Sequence, residues 1–301
     1  MARLLDRQWT REGRVAMAAR CFQNHRCDDG GDASDLPMMP PQLSADQLAA
    51  FERDGFVGPI DVLPPRDVER VRAAVAEVIA NLETLRDRLY EVEHAFTERP
   101  GEVVCHFLGG FRVHPVLRDL IFDPRATAVC AQALGVEQLR FWHDQVFAKP
   151  PRHPGVVPWH QDYSYWTRTT PACHVTLNLM LDDASVQSGC VQFVPGSHRW
   201  GLLPKLPFDA PLETIRALLP KDAQWAPVPV PVRAGQATLH HSHTLHGSEQ
   251  NRSDHWRRAV VLNYMGAHVR VADGSSPLLR HTKMLPSGAL VEGEDFPLVW
   301  P

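Results

Sequence analysis

The stretch Val156-Val157-Pro158-Trp159-His160-Gln161-Asp162-Tyr163-Ser164-Tyr165-Trp166 contains the one His-x-acid triplet of a chain that has 16 histidines. Side chains two residues apart on a β-strand point to the same face, so His160 and Asp162 can converge on one point. An imidazole and a carboxylate, joined by a distant second histidine, form the facial triad of non-haem Fe(II) oxygenases. The pair is half of such a site, and the alternative is a strand-end pair bonded within its own turn.

Short segments with strand patterns, bounded by turn residues, surround this stretch. Such closely spaced short strands with turn punctuation are typical of an antiparallel sandwich or barrel. The predicted strands cover residues 103–111, 140–149, 174–181, 190–194, 228–232, 236–241 and 257–265.

Helical patterns dominate the residues before position 135. Ser44 and Gln47 have the spacing of a capping box at the start of a helix. Apolar residues that repeat at intervals of three and four predict a longer helix: Val68, Val71, Val75 and Val78. Residues 114–121 and 126–134 predict two more helices, so helices are expected to cover one face of the β structure.

The third metal ligand is expected among four histidines, His240, His241, His243 and His246. His246 is the best candidate because Gly247 permits close backbone approach, Ser248 presents a hydroxyl, and Arg257 follows 11 residues later. A metal site near an arginine and a hydroxyl suits a carboxylate ligand whose far end chelates the metal.

Composition excludes several classes of protein. The 301 residues carry a net charge of -4 and 44% apolar residues, which is typical of a globular protein and disfavours nucleic acid as the main partner. No apolar run is long enough to span a membrane, and the first residues do not form a secretory signal. The six scattered cysteines suit reduced thiols. A cytoplasmic protein is therefore expected.

The predicted domain organisation has two parts. Residues 1–41 are rich in charged residues, Gly and Pro and are predicted to be disordered. Residues 42–301 are predicted to form a single domain. The strand pattern lapses near residues 204–226, where residues 212–219 look helical and a lid-like insertion is expected.

Four motifs follow one another along the chain: Trp159-His160-Gln161-Asp162, Ser188-Gly189-Cys190, Val194-Pro195-Gly196-Ser197-His198 and His246-Gly247-Ser248. Together with Phe51-x-x-Asp54-Gly55-Phe56 they resemble the phytanoyl-CoA dioxygenase family of Fe(II)/2-oxoglutarate oxygenases over about residues 43–265. The resemblance implies a double-stranded β-helix, or jelly roll, flanked by helices.

The resemblance also implies roles for individual residues. His160, Asp162 and His246 would bind Fe(II), while Arg257 and Ser248 would bind the far carboxylate of 2-oxoglutarate. Arg258 is the rival of Arg257, and the family spacing favours Arg257. Further positions near the cosubstrate in relatives correspond to Gln145, Asn178 and His106; Asn178 departs from the Trp that some members carry there, and His106 would be a basic contact.

The predicted function is a 2-oxoglutarate-dependent dioxygenase that uses O2 to oxidise a C–H bond of a small organic molecule, with release of succinate and CO2. Hydroxylation is favoured because Asp162 supplies the carboxylate that halogenating relatives lack. The alternatives are a catalytically silent metal- or 2-oxoacid-binding protein and a cupin-like enzyme that works without 2-oxoglutarate. Aromatic residues around the motif are candidates for the substrate pocket: Trp159, Tyr163, Tyr165 and Trp166.

Overall fold

Helices begin where the sequence supplies caps. The computed structural model describes residues 40–207 and 210–301, so nearly all of the predicted extension, residues 1–41, lies outside the described residues. Ser44 and Gln47 form the predicted capping box: Ser44 Oγ accepts from Gln47 N at 3.1 Å, and Gln47 Oε1 accepts from Ser44 N at 2.9 Å. The α-helices are Ala45–Asp54 (α1), Pro65–Ala80 (α2), Leu82–Leu85 (α3), His94–Glu98 (α4), Pro115–Leu120 (α5) and Pro124–Leu134 (α6).

Strands supply most of the remaining regular structure, and they pair in the antiparallel sense throughout the described residues. They are Phe56–Asp61 (β1), Glu91–Val92 (β2), Cys105–Leu108 (β3), Leu139–Lys149 (β4), Val157–His160 (β5), Thr169–Thr170 (β6), His174–Met180 (β7), Val191–Phe193 (β8), Val228–Pro229 (β9), Gln236–His241 (β10), His246–Ser248 (β11), Arg257–Gly266 (β12), Arg270–Val271 (β13) and Leu298–Trp300 (β14).

Two main sheets arise from these pairings. The larger has the order β1-β10-β7-β12-β4-β3-β2, with β14 also on β4, and the smaller has the order β5-β11-β8-β9. The predicted fold class is confirmed: the chain is mainly β with flanking helices, in the jelly-roll arrangement of a double-stranded β-helix.

Strand β7 shows why both faces of the larger sheet are buried. Its apolar residues Val175, Leu177 and Leu179 belong to the main hydrophobic core, which also contains the buried valines of α2. The alternate residues Thr176 and Asn178 point the opposite way, into a cavity between the sheets. A strand that is buried on both faces can therefore hold polar groups on one of them.

The insertion near residues 204–226 packs on the smaller sheet. The helical pattern predicted over residues 212–219 is a 3-10 helix, Leu212–Leu218, and Ile215 is buried with Trp159, Val194 and Leu245. The rings of Trp225 and Trp159 meet edge to face with centroids 4.8 Å apart. Much of the apolar content of this segment is thus used for packing on the protein itself.

Two predicted strands are shorter than expected, and the one predicted over residues 103–111 is only Cys105–Leu108. The strand expected over residues 228–232 is only Val228–Pro229, followed by an isolated bridge between Val232 and Ala184. The C-terminal tail is mostly loop, and it places Val291 and Phe296 in a buried cluster with Trp142. Across the described ranges, no helix combines the length and the apolar character needed to cross a membrane.

Candidate metal centre

The two histidines at the centre of the site are placed by strand pairing. In the antiparallel pair β5 and β11, His160 and His246 are direct cross-strand partners. Directly opposed side chains on one face of an antiparallel pair lie close together, and the two imidazole centroids are 4.3 Å apart. Residues that are 86 positions apart in the sequence are therefore brought together by the register of two short strands.

Each imidazole is held in a defined tautomer by its own backbone. His160 Nδ1 donates to the Pro158 carbonyl at 2.8 Å, and His246 Nδ1 donates to the Thr244 carbonyl at 2.9 Å. A carbonyl oxygen only accepts, so each Nδ1 carries the proton and each Nε2 of a neutral ring keeps its lone pair. Burial lowers the pKa of His246 well below its ordinary value, and the neighbouring His240 and His160 lower it further. These are the features of metal-binding histidines.

Asp162 reaches the histidines from a different element than expected. Strand β5 ends at His160, and Asp162 begins a 3-10 helix, Asp162–Tyr165, so the shared-face argument for a continuous strand is wrong in its geometry. The turn nevertheless brings Asp162 Oδ1 to 3.4 Å from His160 Nε2 and 3.7 Å from His246 Nε2. The three ligand atoms lie within 4.8 Å of one another.

The second carboxylate oxygen of Asp162 is held by the interior of the protein. Thr176 Oγ1 donates to Oδ2 at 2.6 Å, and His240 Nε2 donates to it at 3.0 Å. Burial raises the pKa of Asp162, but the neighbouring His246 and the hydrogen bond from His240 outweigh it and hold that pKa well below its ordinary value. The side chain is therefore an ionised carboxylate that presents Oδ1 to the histidines.

These three residues fit a divalent iron ion. Two ligand atoms bound at right angles, each about 2.1 Å from an ion, lie about 3.0 Å apart, so small side-chain rotations would bring the observed atoms into position. Two nitrogens and one carboxylate oxygen are the donor set of the facial triad. Among the described residues, this is the one group of three His, Cys, Asp or Glu side chains with such spacing.

A cavity opens from the three ligands into the space between the sheets. Arg257 lies on its wall and is only 2% exposed. Burial lowers the pKa of Arg257 to about 10, and its Nε has no hydrogen-bond partner among the described residues. The next residue, Arg258, points to the other side of β12 and makes two hydrogen bonds with the Asp182 carboxylate, each 2.8 Å long. Because side chains alternate along a strand, Arg257 faces the cavity and Arg258 does not.

Three of the other predicted cosubstrate residues also line this cavity: Ser248, Gln145 and Asn178. The Asn178 Oδ1 atom has no partner within the described part of the chain. His106 lies behind Gln145 and contacts it: His106 Nε2 is 2.8 Å from Gln145 Oε1. Burial lowers the pKa of His106 to about 4, which favours the neutral ring; its role as a basic contact of the cosubstrate stays a prediction.

The four aromatic candidates are spread over different surroundings. Tyr165 is the one beside the ligands: its ring lies edge-on to His160 with centroids 5.8 Å apart, and it is 40% exposed. Tyr163 stacks on His243 and donates to the Thr169 carbonyl. Trp159 packs against Trp225 in the cluster under the insertion, and Trp166 packs in the cluster around Trp142. Neither tryptophan lines the cavity.

Several residues that shape the site had not been predicted to do so. Thr176 and His240 hold Asp162 through its second carboxylate oxygen. Gln161 points away from the metal ligands and bridges two loops, because its Nε2 donates to the Gly201 and His243 carbonyls and its Oε1 accepts from Leu203 N. The sequence signal for Thr176 was its alternation with leucines on a predicted strand, whereas His240 had been considered as a metal ligand.

Comparison with protein families gives one match of direct relevance. The family model of phytanoyl-CoA dioxygenase (PhyH) matches residues 51–259. Among curated proteins, phytanoyl-CoA dioxygenase domain-containing protein 1 of Mus musculus is 34% identical over 160 residues, which are 51% of this chain and 54% of that protein. The matched region thus spans about half of the mouse protein. Ectoine dioxygenase of Bordetella parapertussis is 28% identical over 240 residues, 73% of this chain and 74% of that protein.

A similar solved structure is that of SnoK, a non-heme alpha-ketoglutarate-dependent carbocyclase from nogalamycin biosynthesis. It is 27% identical, and the superposition has a TM-score of 0.67 and covers 86% of this chain and 98% of SnoK. Its fold therefore corresponds to the described fold over nearly its whole length.

Proposed function

The chain belongs to the phytanoyl-CoA dioxygenase family, and we propose that it is an Fe(II)- and 2-oxoglutarate-dependent oxygenase of a small organic molecule. Relatives in this group carry the names of ectoine dioxygenase and of a carbocyclase from nogalamycin biosynthesis. A small, functionalised metabolite is accordingly the class of substrate that we propose.

In this proposal His160 Nε2, His246 Nε2 and Asp162 Oδ1 bind the iron. The backbone carbonyls that hold each Nδ1 proton keep both Nε2 lone pairs directed at the metal position. Thr176 and His240 occupy Asp162 Oδ2, so that the carboxylate binds through one oxygen. The protein thereby prepares three ligands and leaves the cavity side of the ion to smaller molecules.

The far carboxylate of 2-oxoglutarate would bind Arg257 and Ser248, which lie on the cavity wall. An arginine buried without a hydrogen-bonded acid retains a costly charge, and a carboxylate offsets that cost. Gln145 and Asn178 complete the polar wall, while Phe147, Val157 and Val261 supply apolar surface that limits access of water.

Iron bound there, together with 2-oxoglutarate and O2, would supply the oxidant for a C–H bond, with succinate and CO2 as co-products. The chain's own residues orient the reactants and exclude water. Because Asp162 occupies the third ligand position, we expect hydroxylation or a related oxidation of the substrate in preference to halogenation.

Residues 204–226 would form a lid over the substrate side. Lys205 Nζ lies 4.5 Å from the centroid of the Tyr165 ring, and Tyr165 Oη donates to the Leu206 carbonyl at 3.1 Å. Tyr165 in turn borders His160. The start of this segment is therefore connected to the metal site through one exposed aromatic side chain.

One observation carries the proposal: the three ligand atoms and the guanidinium of Arg257, whose Nε has no partner among the described residues, share one cavity. A metal site alone does not require a buried cation on the same wall. A cosubstrate that chelates the metal at one end and carries a carboxylate at the other requires both.

The test is an anaerobic titration of the metal-free protein with Fe(II) and then 2-oxoglutarate, in which the visible charge-transfer band of the chelate is measured. We expect a band in the wild type and a shift of its midpoint to about 10- to 100-fold higher 2-oxoglutarate in Arg257→Met, because a charge-assisted contact is removed. Arg258→Met is the matched control, since that side chain lies outside the cavity, and its midpoint should stay near that of the wild type.

Two outcomes would contradict parts of the proposed function. Bound Fe(II) without a band, or a band that responds equally to both arginine variants, would contradict the cosubstrate site. A normal band without succinate release in O2, with any of a panel of small metabolites, would favour the catalytically silent binding protein.

A further inference from the structure

A second buried cation lies beside Arg257. Lys149 is the last residue of β4, its exposed fraction is 0%, and it is the direct cross-strand partner of Arg257. Neither side chain forms an ion pair with an acidic residue anywhere in residues 40–207 or 210–301. Two adjacent basic side chains are thus buried in the interior without a carboxylate on either of them.

The hydrogen bonds of Lys149 determine how Ser248 is oriented. Lys149 Nζ donates to Ser248 Oγ at 2.8 Å and to the Glu249 carbonyl, and the Ser248 carbonyl is 3.4 Å away. In its charged form Lys149 has three donors and no acceptor, so Ser248 Oγ then accepts from it. The hydroxyl proton of Ser248 is then left over, and no described residue accepts it. Since Ser248 lines the cavity, that proton is available to a ligand there.

We propose that Lys149 is a positioning residue that makes Ser248 a hydrogen-bond donor to the cavity and, with Arg257, selects a 2-oxo dicarboxylic acid over a 2-oxo monocarboxylic acid. The proposal rests on the function proposed above and specifies how the far end of the cosubstrate is recognised. A ligand with a carboxylate at that end accepts from Ser248 and offsets both buried charges. A ligand with a methyl group at the same end does neither, and leaves the two cations desolvated.

The electrostatic surroundings make the charge of Lys149 depend on a nearby anion. Burial and the positive charge of Arg257 lower the pKa of Lys149 well below its ordinary value. A carboxylate bound in the cavity beside Arg257 and Ser248 opposes both effects. It would therefore favour the charged form of Lys149.

The experiment compares two acids that differ only at this end. 2-Oxoglutarate and 2-oxopentanoate have the same number of carbons and the same metal-chelating group, but the second has a methyl group in place of the far carboxylate. Their dissociation constants are measured by anaerobic calorimetry on the Fe(II)-loaded full-length protein, for the wild type, Lys149→Met, Lys149→Gln, Lys149→Arg and the external control Arg258→Met. Binding of Fe(II) alone is measured for each.

We expect Lys149→Met and Lys149→Gln to raise the dissociation constant of 2-oxoglutarate by about 10- to 100-fold. The dissociation constant of 2-oxopentanoate should rise by less than about 3-fold, because only the first ligand loses a charge-assisted contact. Lys149→Arg, which keeps the charge and the donors, should recover part of the discrimination. Fe(II) binding should be unchanged throughout. Gln retains N–H donors for the Glu249 carbonyl, so it serves if the Met variant does not fold.

The dependence on Ser248 is tested by a double-mutant cycle. Ser248→Ala should reduce the discrimination as well, and the double variant Lys149→Gln/Ser248→Ala should be little worse than the poorer single variant, because both changes remove the same contact. Equal weakening of both acids, or additive effects in the double variant, would overturn the proposed role of Lys149. If the wild type binds neither acid, the proposed function itself fails, which is a different result from intact binding of 2-oxoglutarate without an effect of Lys149.

Discussion

The replacement of Thr176 by Val tests whether the interior of the protein orients the metal-binding carboxylate. Thr176 Oγ1 donates to Asp162 Oδ2 at 2.6 Å and also lies 2.9 Å from Asn263 Oδ1. Valine has nearly the same shape but no hydroxyl, so the change leaves Asp162 Oδ2 with the hydrogen bond from His240 alone. The carboxylate is then free to turn Oδ1 away from the two histidines.

The expected size of the effect follows from the two hydrogen bonds that Asp162 Oδ2 accepts. Groups that orient a metal ligand contribute about 10- to 100-fold to metal affinity, which corresponds to about 1.4–2.7 kcal/mol. One of these two hydrogen bonds disappears in the variant, so we expect the dissociation constant of Fe(II) to rise about 10-fold. The free energy of unfolding should also fall by about 1–3 kcal/mol, because the buried Asp162 carboxylate loses a hydrogen bond.

The neighbouring strand provides a matched control. Thr238 on β10 and Thr176 on β7 are both 2% exposed, but Thr238 Oγ1 has no hydrogen-bond partner among the described residues. Thr238→Val therefore removes an unsatisfied hydroxyl and should leave metal affinity unchanged and the protein no less stable. The assay is anaerobic competition for Fe(II) with a chromophoric chelator, together with urea denaturation. Equal Fe(II) affinity in the two valine variants would refute the idea that Thr176 orients Asp162.

Two further predictions concern stability. Burial lowers the pKa values of His143 and His174 to about 3, so between about pH 6.5 and 3 the unfolded state binds more protons than the folded state. The stabilisation that these two histidines contribute should therefore be complete above about pH 6.5 and decline on acidification. The measurement is the urea midpoint over a pH series. A midpoint that rises as the pH falls would contradict this. Gly189 and Gly196 have nearly equal φ angles, 76° and 75°, but a Cβ at Gly189 would overlap the Glu249 carbonyl whereas one at Gly196 meets nothing within 4 Å. Gly189→Ala should therefore unfold at a temperature several degrees below that of Gly196→Ala, and equal melting temperatures would show that the overlap is relieved.

The local elements of this protein could be predicted from sequence where the signal is local. Ser44 and Gln47 form a capping box because both partners lie within one turn of helix. The valines of α2 are buried because a period of three to four puts them on one face. Similarly, Arg257 and Arg258 face opposite sides of β12 because strand side chains alternate. In each case the deciding interactions join residues close in the chain.

The site itself depended on pairings that have no local signal. The register that sets His160 opposite His246 joins two short strands far apart in sequence, and Asp162 reaches them from a 3-10 turn, where strand periodicity does not apply. The tryptophans next to the motif, Trp159 and Trp166, are buried in clusters formed with distant residues such as Trp225 and Trp142. Adjacency to a motif in sequence did not determine which side chains line the cavity.

The sequence by itself determined the kinds of ligand, their order along the chain and the β-rich class of fold, since these depend on residue identity and periodicity. Only the tertiary structure decided which polar groups are buried together. The pairing of β4 with β12 places Lys149 beside Arg257, and the pairing of β10 with β7 brings His240 close to the Asp162 that Thr176 also holds. A buried charge acquires its chemical role from the partners that surround it, and those partners come from strands that the sequence alone does not align.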